Sequence, residues 1–324
     1  MGDGMATTSG LTGHDRRDHF QARMGYRRTQ HLVVPGLYTL GSPTRTSPVF
    51  VSANYTLSFD ALRTSLRGID AFILVLDTKG VNVWCAAGKG TFGTDELIAK
   101  VKSTGLGEKV DHHRLILPQL GAPGVAAHTV KRETGFAVEY GPVRSKDIPE
   151  YLRRGAATPE MRRVAFPLRD RAVLVPVEVV QSLKFLLPAM VLLFLIGGTA
   201  AMMVPVAAVL GGTFLFPLLL PYLPTKDFTS KGLLLGVVLS LPFSYQYAVG
   251  AGSLWTSGAF AAALALLMAP VVGYLGLNFT GCSTYASRTG VRKEIYRWMP
   301  IMAIMLVVGA VLMTVTLSSE MGWL

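Results

Sequence analysis

Apolar residues fall along this chain in two regimes. Up to about residue 184 they come in short runs separated by charges, whereas from Phe185 to Leu223 there is no Asp, Glu, Lys or Arg at all. As one helix these residues would measure about 58 Å at 1.5 Å per residue. A bilayer core is about 30 Å thick, so the pattern predicts two spans, 185–203 and 205–223, with a turn near Met203–Pro205. Three further apolar stretches, 232–250, 256–277 and 300–317, bring the expected number of transmembrane helices to five.

In the first regime the periodicity alternates between strand and helix. Strands are predicted over VFVSANY (49–55), AFILVLDT (71–78), RLILPQL (114–120), AVEY (137–140) and RAVLVPVEVV (171–180). Helices are predicted over SFDALRTSLRG (58–68), over TDELIAKVKSTG with Thr94 or Asp95 as N-cap and Gly105 as stop, and over GVAAHTVKRETG and SKDIPEYLRRG. Apolar strands separated by helices imply a mostly parallel, Rossmann-like α/β sheet covered on both faces. The expected organisation is a disordered tail (1–34), an α/β domain (35–178), a linker (179–184) and an all-α membrane domain (185–324). The tail is expected to stay disordered because its apolar surface is too small to offset its ordering entropy.

Half of the 324 residues are hydrophobic, too many for one soluble domain of this length. The first thirty residues contain no apolar run of signal-peptide type, so the α/β domain is expected in the cytoplasm. Loop charges give the same orientation. Arg169, Arg171 and Lys184 precede the first span, Lys226 and Lys231 lie in the second loop, and Arg288, Arg292, Lys293 and Arg297 lie in the fourth. The first turn and the Ala251–Trp255 loop carry no basic residue, and the C-terminal tail has only Glu320. The alternation puts the N-terminus inside and the C-terminus outside the inner membrane. A net charge of +11 spread in this way indicates a membrane surface rather than nucleic acid. No predicted span contains an internal charge, which favours an anchor or dimerisation platform over a transporter. The small residues Gly197, Gly198, Gly211, Gly212 and Ala261 to Ala263 suit close helix packing, including packing in a homodimer.

Ligands of such sheets bind at the carboxyl ends of the strands. Those ends are Asn54–Tyr55, Asp77–Gly80, Gln119–Gly124 and Tyr140–Pro142, and their Gly- and Pro-rich stretches would let backbone approach a large flat ligand. Two familiar patterns fail. Gly88-Lys-Gly90-Thr-Phe-Gly93 matches GxGxxG but is separated from its strand by an insert, and GKG lacks the Ser or Thr and the upstream Gly of a P-loop. Asp111-His112-His113 lacks the glycine of a D-x-H-x-x-G cobalt-ligand motif and reads as a helix–strand turn. The two cysteines, Cys85 and Cys282, lie in different halves and form no disulfide framework. Taken alone, Cys85 is as readily a small buried hydrophobe as a ligand. Cys282, in a basic loop, reads as an inert thiol.

The insert itself, Asn82-Val83-Trp84-Cys85-Ala86-Ala87-Gly88-Lys89, resembles the cap-helix signature of the corrinoid protein of microbial mercury methylation, the HgcA family. The resemblance extends to the flanking VLDTKG and GTFGTDEL and to the apolar C-terminal half, and omits the N-terminal tail. The domain is also similar to the corrinoid domain of the corrinoid iron–sulfur protein of acetyl-CoA synthesis, which lacks the cysteine. The resemblance implies a corrinoid (cobalamin-type) cofactor with Cys85 as lower axial ligand of cobalt, a soft and strongly donating thiolate. It implies that Asn82 caps the helix, Trp84 packs under the corrin or on the sheet, Gly88 admits the ligand, and Lys89 meets a propionamide, a phosphate or solvent. Ala86 and Thr91 of the same insert, with Asn54, Tyr55, Asp77, Gln119, Leu120, Gly121, Ala122, Gly141 and Pro142 of the strand ends, complete the expected cofactor site.

The implied activity is a corrinoid-dependent methyltransferase passing a methyl group from methyl-Co(III) to Hg(II), with a methyltetrahydrofolate-linked donor. The implied redox partner is a small ferredoxin-like protein with two 4Fe–4S clusters (HgcB), since this chain has too few cysteines for a cluster of its own. Two other functions compete: a methyl carrier of one-carbon metabolism with a different acceptor, and a membrane transporter or sensor bearing a corrinoid-binding domain.

Overall fold

The computed structural model describes residues 4–27, 29–250, 253–283 and 286–320, apart from the side chains of Cys282, Arg288 and Glu320. The expectations for Cys282 and Glu320 therefore lie outside the described side chains, and Ala251 of the third loop lies outside the described residues. The chain divides into two units, Met1–Ala165 and Phe166–Leu324.

The first unit is α/β. Its elements run β1 (Met5–Thr7), α1 (Gly13–Arg23), β2 (Gly36–Leu40), β3 (Val49–Ala53), α2 (Thr56–Ser65), β4 (Ala71–Leu76), α3 (Val83–Lys89), α4 (Thr94–Ser103) and α5 (Leu106–Lys109). There follow β5 (Arg114–Leu117), a 3-10 turn (Gln119–Gly124), α6 (Ala127–Thr134), β6 (Ala137–Tyr140), α7 (Ile148–Arg154) and α8 (Pro159–Arg162). The sheet order is β1-β2-β4-β3-β5-β6. From β4 to β6 all neighbours are parallel, and β2 runs antiparallel to β4, so the sheet is mixed. Strand β4 shows why its sequence is a continuous apolar run. Phe72, Leu74 and Leu76 face the core shared with α4 and α6, while Ala71, Ile73 and Val75 face the core shared with α2 and α7. The chain passes from β3 to β4 on one side and then crosses to β5 on the other. Helix α2 after β3 and helix α6 after β5 lie on opposite faces, which opens a crevice at the carboxyl ends of β3 and β5.

Two expectations for this region are overturned. The N-terminal segment is ordered: β1 pairs with β2, and α1 opens with a capping box in which Thr12 and Asp15 exchange side chain-to-backbone bonds. Polar contacts hold it where apolar area is lacking. Arg63 donates to the carbonyls of Thr8 and Gly10 and to Asp15, and His19 pairs with Asp60 at 2.6 Å. Asp60 and Arg63 are 2% and 6% exposed, so these bonds form in a dry setting where they are strengthened. The expected strand and linker at 171–184 are helix, because Pro176 sits in the first turn of a long apolar helix, where a missing N–H costs little.

The second unit is helical: α9 (Leu168–Ala172), α10 (Val175–Leu210), a π turn (Gly211–Leu215), α11 (Phe216–Leu219), α12 (Phe228–Gly250), α13 (Leu254–Phe279) and α14 (Arg288–Glu320). Among the described residues, four helical segments are long and apolar enough to cross a membrane, not five: Leu168–Leu219, Phe228–Gly250, Leu254–Phe279 and Thr289–Ser319. The first two expected spans belong to the single 52-residue run, and Met203–Pro205 is helical rather than a turn. Proline misled here, since membrane helices accept it: Pro188, Pro205, Pro242, Pro270 and Pro300 all lie inside helices.

The long run is nevertheless not straight. Its backbone leaves helical geometry at Gly197 (φ −140°, ψ 19°) and Gly198 (φ 68°, ψ −156°), the latter a region open to glycine alone. Arg171 Nη1 donates to the carbonyls of Pro217 and Leu218, each at 3.1 Å. A straight helix would separate those residues by about 69 Å. The run therefore doubles back at the glycine pair into two limbs. Helices α12 and α13 pack backbone to backbone through small residues. A Cβ on Gly232 would lie 2.7 Å from Gly273 Cα, and one on Gly236 would lie 2.6 Å from Ala269 Cα.

Candidate functional site

The site is built outward from the end of β4. Asn54, buried at the end of β3, accepts through Oδ1 from the Thr78 and Gly80 amides at 3.0 and 3.1 Å and from Thr78 Oγ1 at 2.9 Å. Its amide donates to Asp77 Oδ1 at 3.3 Å. Asn54 is thus fully engaged in shaping the β4–α3 turn, in which Lys79 and Gly80 take positive φ (58° and 69°). Asp77 pairs with Lys79 at 2.5 Å, and that hydrogen bond holds the Asp77 carboxyl below the usual carboxylate range. The Asp77 amide donates to Glu96 Oε1 at 2.8 Å, tying the turn to α4.

Helix α3 begins as the sequence indicates. Asn82 is its N-cap, and Asn82 Oδ1 accepts from the Cys85 amide at 2.9 Å. Gly90 ends it in the left-handed conformation (φ 84°), and the Thr91 amide closes the end on the Ala86 carbonyl. The helix has two distinct faces. Val83, Ala86 and Ala87 belong to the core. Trp84 and Cys85 are half-buried and Gly88 and Lys89 exposed, and at i, i+1, i+4 and i+5 these four share the opposite face. A Cβ on Gly88 would meet nothing within 4 Å, so no internal packing requires glycine there.

The turn Gln119–Gly124 supports α3 from below. A Cβ on Gly124 would lie 3.0 Å from Ala87 Cα, and one on Gly121 would lie 2.5 Å from the Phe92 ring. Internal packing therefore requires glycine at both positions. Gln119 donates its amide to Pro142 at 3.4 Å, while its Oε1 is buried with no hydrogen-bond partner among the described residues.

The structure thus brings Trp84, Cys85, Gly88 and Lys89 together, with Asn82 and Thr91 at the two ends of the helix. Half-buried Gln119, Leu120 and Ala122 lie in the turn beneath. Asn54, Ala86, Gly121, Gly141 and Pro142 are buried and shape the scaffold, and Tyr55 is the N-cap residue of α2. His112 and His113 precede β5 and so stand at the opposite edge of the sheet, with His112 Nε2 on the Ser47 carbonyl at 2.8 Å. Three scaffold residues escaped sequence reasoning, Thr78, Phe92 and Glu96, and a fourth, Thr94, was assigned a different role. Thr94 caps nothing at α4, whose N-cap is Gly93; its Oγ1 accepts from the Ala126 amide at 2.9 Å. Only the DTKG turn composition hinted at Thr78.

Residues 27–152, from just before β2 into α7, match the family model described as CO dehydrogenase/acetyl-CoA synthase delta subunit. The likeness to that family lies within the α/β unit. Among its relatives, the acetyl-CoA decarbonylase/synthase complex subunit gamma of Methanopyrus kandleri is 33% identical over 124 residues, 38% of this chain and 26% of that protein. The same subunit of Methanothermobacter thermautotrophicus is 33% identical over 132 residues, 40% of this chain and 28% of that protein. The corrinoid/iron-sulfur protein large subunit of Moorella thermoacetica is 27% identical over 153 residues, 44% of this chain and 34% of that protein. The chain thus spans about a quarter to a third of the length of these relatives.

Proposed function

We propose that the protein is a membrane-embedded corrinoid methyl carrier in which Cys85 would hold the cobalt of the bound corrinoid, with Hg(II) as the methyl acceptor. The observation that carries this reading is the outward face of α3, where Cys85 stands in the first turn of a capped helix beside the open space at Gly88. Among the described residues no group of three or more His, Cys, Asp or Glu gathers to hold an ion. A metal at Cys85 must therefore bring its other ligands with it, as cobalt does in a corrin. The name of the Moorella relative includes a corrinoid. The orphaned Gln119 Oε1 below α3 offers an acceptor for an N–H of the kind that corrin amide side chains carry.

When bound, the corrinoid supplies a cobalt centre that holds a methyl group and releases it to a soft electrophile. The chain's own part is to hold and tune. Asn82 fixes the first turn of α3 and so the Cys85 position; Ala86 and Ala87 anchor the helix to the core; Gly88 leaves the approach clear. Mercury as acceptor is supported by the NVWCAAGK signature and by the donating character of a thiolate ligand. Electrons come, in this proposal, from a small ferredoxin-like protein with two 4Fe–4S clusters, and methyl groups from a methyltetrahydrofolate-linked donor. In this proposal the α/β unit lies in the cytoplasm, a reading supported by the basic residues beside the apolar segments.

The test is reconstitution of the purified chain with cobalamin. The absorption spectrum should shift on binding and the shift should be lost in Cys85→Ala; a spectrum indifferent to that substitution removes Cys85 from the metal. A second reading, favoured by the names of the relatives, keeps the corrinoid but assigns a one-carbon acceptor other than mercury. Methylmercury formation by cells expressing the chain with its ferredoxin-like partner separates the two.

A further inference from the structure

The second unit contains a cavity of about 710 Å³ among its apolar helices. One wall is the doubled-back run, with Ala189 from its first limb and Ala200, Ala201 and Val209 from its second; the others come from α12, α13 and α14. Its polarity is one-sided. Gln246 and Tyr247 line the end near the Gly197–Gly198 turn, where Tyr247 stacks on Phe260 at 3.7 Å, and the same turn interrupts the helical hydrogen-bond ladder there. From that end to Val209 and Met268 the lining is hydrocarbon. The distance from Gly197 to Val209 along the helix is about 18 Å, close to the ~15 Å depth of one leaflet, half of a bilayer core.

The cavity opens to the surface of the helices at exposed Ile196 and Ala200, so bilayer chains can reach it, and a lining left bare forfeits the contacts that an occupant supplies. It does not hold water, since apolar cavities stay dry without several polar partners for each molecule. We propose that the cavity is a binding site for one acyl chain of a bilayer lipid, its polar head at the Gln246 and Tyr247 end. The length matches a chain drawn from a single leaflet, and the small residues Ala189, Ala200 and Ala201 keep the wall open for it.

Native mass spectrometry of the full chain, taken from bilayer discs of phosphatidylethanolamine and phosphatidylglycerol and washed in detergent, tests this. The expected result is one retained phospholipid per chain. Ala189→Trp and Ala200→Trp fill the cavity and should lower the lipid-bound fraction at least tenfold. Leu195→Trp, on a residue 76% exposed and outside the lining, should leave it unchanged. Ala200 lies at the exposed rim, so its variant keeps the test intact if Ala189→Trp does not fold. Absence of bound lipid in the wild type, retention in folded Ala200→Trp, or an isoprenoid quinone or detergent molecule in place of the phospholipid would each overturn the proposal.

Discussion

Asn82 and Gly88 act on the same short helix with opposite effects on the apoprotein. Asn82 satisfies the Cys85 amide, so Asn82→Ala should destabilise the α/β unit by about 1 kcal/mol and loosen the Cys85 position. Calorimetry of the isolated chain and its cobalamin affinity should fall together. Gly88→Ala should do the reverse to stability. Glycine within a helix costs roughly 0.5–1 kcal/mol relative to alanine, and the added Cβ meets open space, so the apoprotein melts higher. If a corrin lies against that face, cobalamin affinity falls in the same variant. An unchanged affinity would place the ligand elsewhere.

The Asp77 carboxyl is held low by Lys79, so its contribution to stability is present above the unfolded carboxylate value and lost as pH falls through the lower folded one. The β4–α3 turn should therefore loosen in acid, seen as faster amide exchange at Gly80 and Val81 below about pH 4. Asp77→Asn should remove that acid limb. At this scale the sequence was readable where chemistry is local: the Asn82 cap involves only neighbouring residues. The packing of Gly121 and Gly124 was not readable, because it comes from Phe92 and Ala87, residues brought to them only by folding.

Among the elements, the strands β3, β4, β5 and β6 were legible because each is an apolar run bounded by turn residues. Strand β2 was not, because GLYTL gains its apolar environment only by pairing with β4. The N-terminal segment was likewise hidden, since its attachment depends on the His19–Asp60 hydrogen bond and the Arg63–Asp15 ion pair rather than on its own hydrophobicity. In the membrane half the decisive element is the reversal at Gly197–Gly198. Gly198→Ala forces a side chain into a conformation that costs about 1–3 kcal/mol, and should reduce the yield of folded protein in detergent. Gly197→Ala, without positive φ, should be milder, its Cβ meeting only Ala201 at 2.8 Å.

For the whole molecule, the number of crossings decides orientation. If each limb of the first segment, folded back at Gly197–Gly198, crosses the membrane by itself, the proposed orientation puts the two chain ends on opposite sides. A C-terminal alkaline phosphatase fusion should be active and a C-terminal green fluorescent protein fusion dark. The opposite pair of results would mean that the long run crosses once. The amino-acid sequence by itself determined the division into a charged α/β part and an apolar helical part, because net hydropathy and loop charge act through composition and need no partner. The cap helix that presents Cys85 was expected from the resemblance of the NVWCAAGK stretch to a family signature, and its Asn82 cap is a contact between near neighbours in the chain. Only the tertiary structure decided which strand ends meet, which glycines are needed for internal packing, and where the apolar run turns back. Those outcomes depend on contacts between residues far apart in sequence, such as Arg171 with Pro217 and Asn54 with Thr78, which no local pattern encodes.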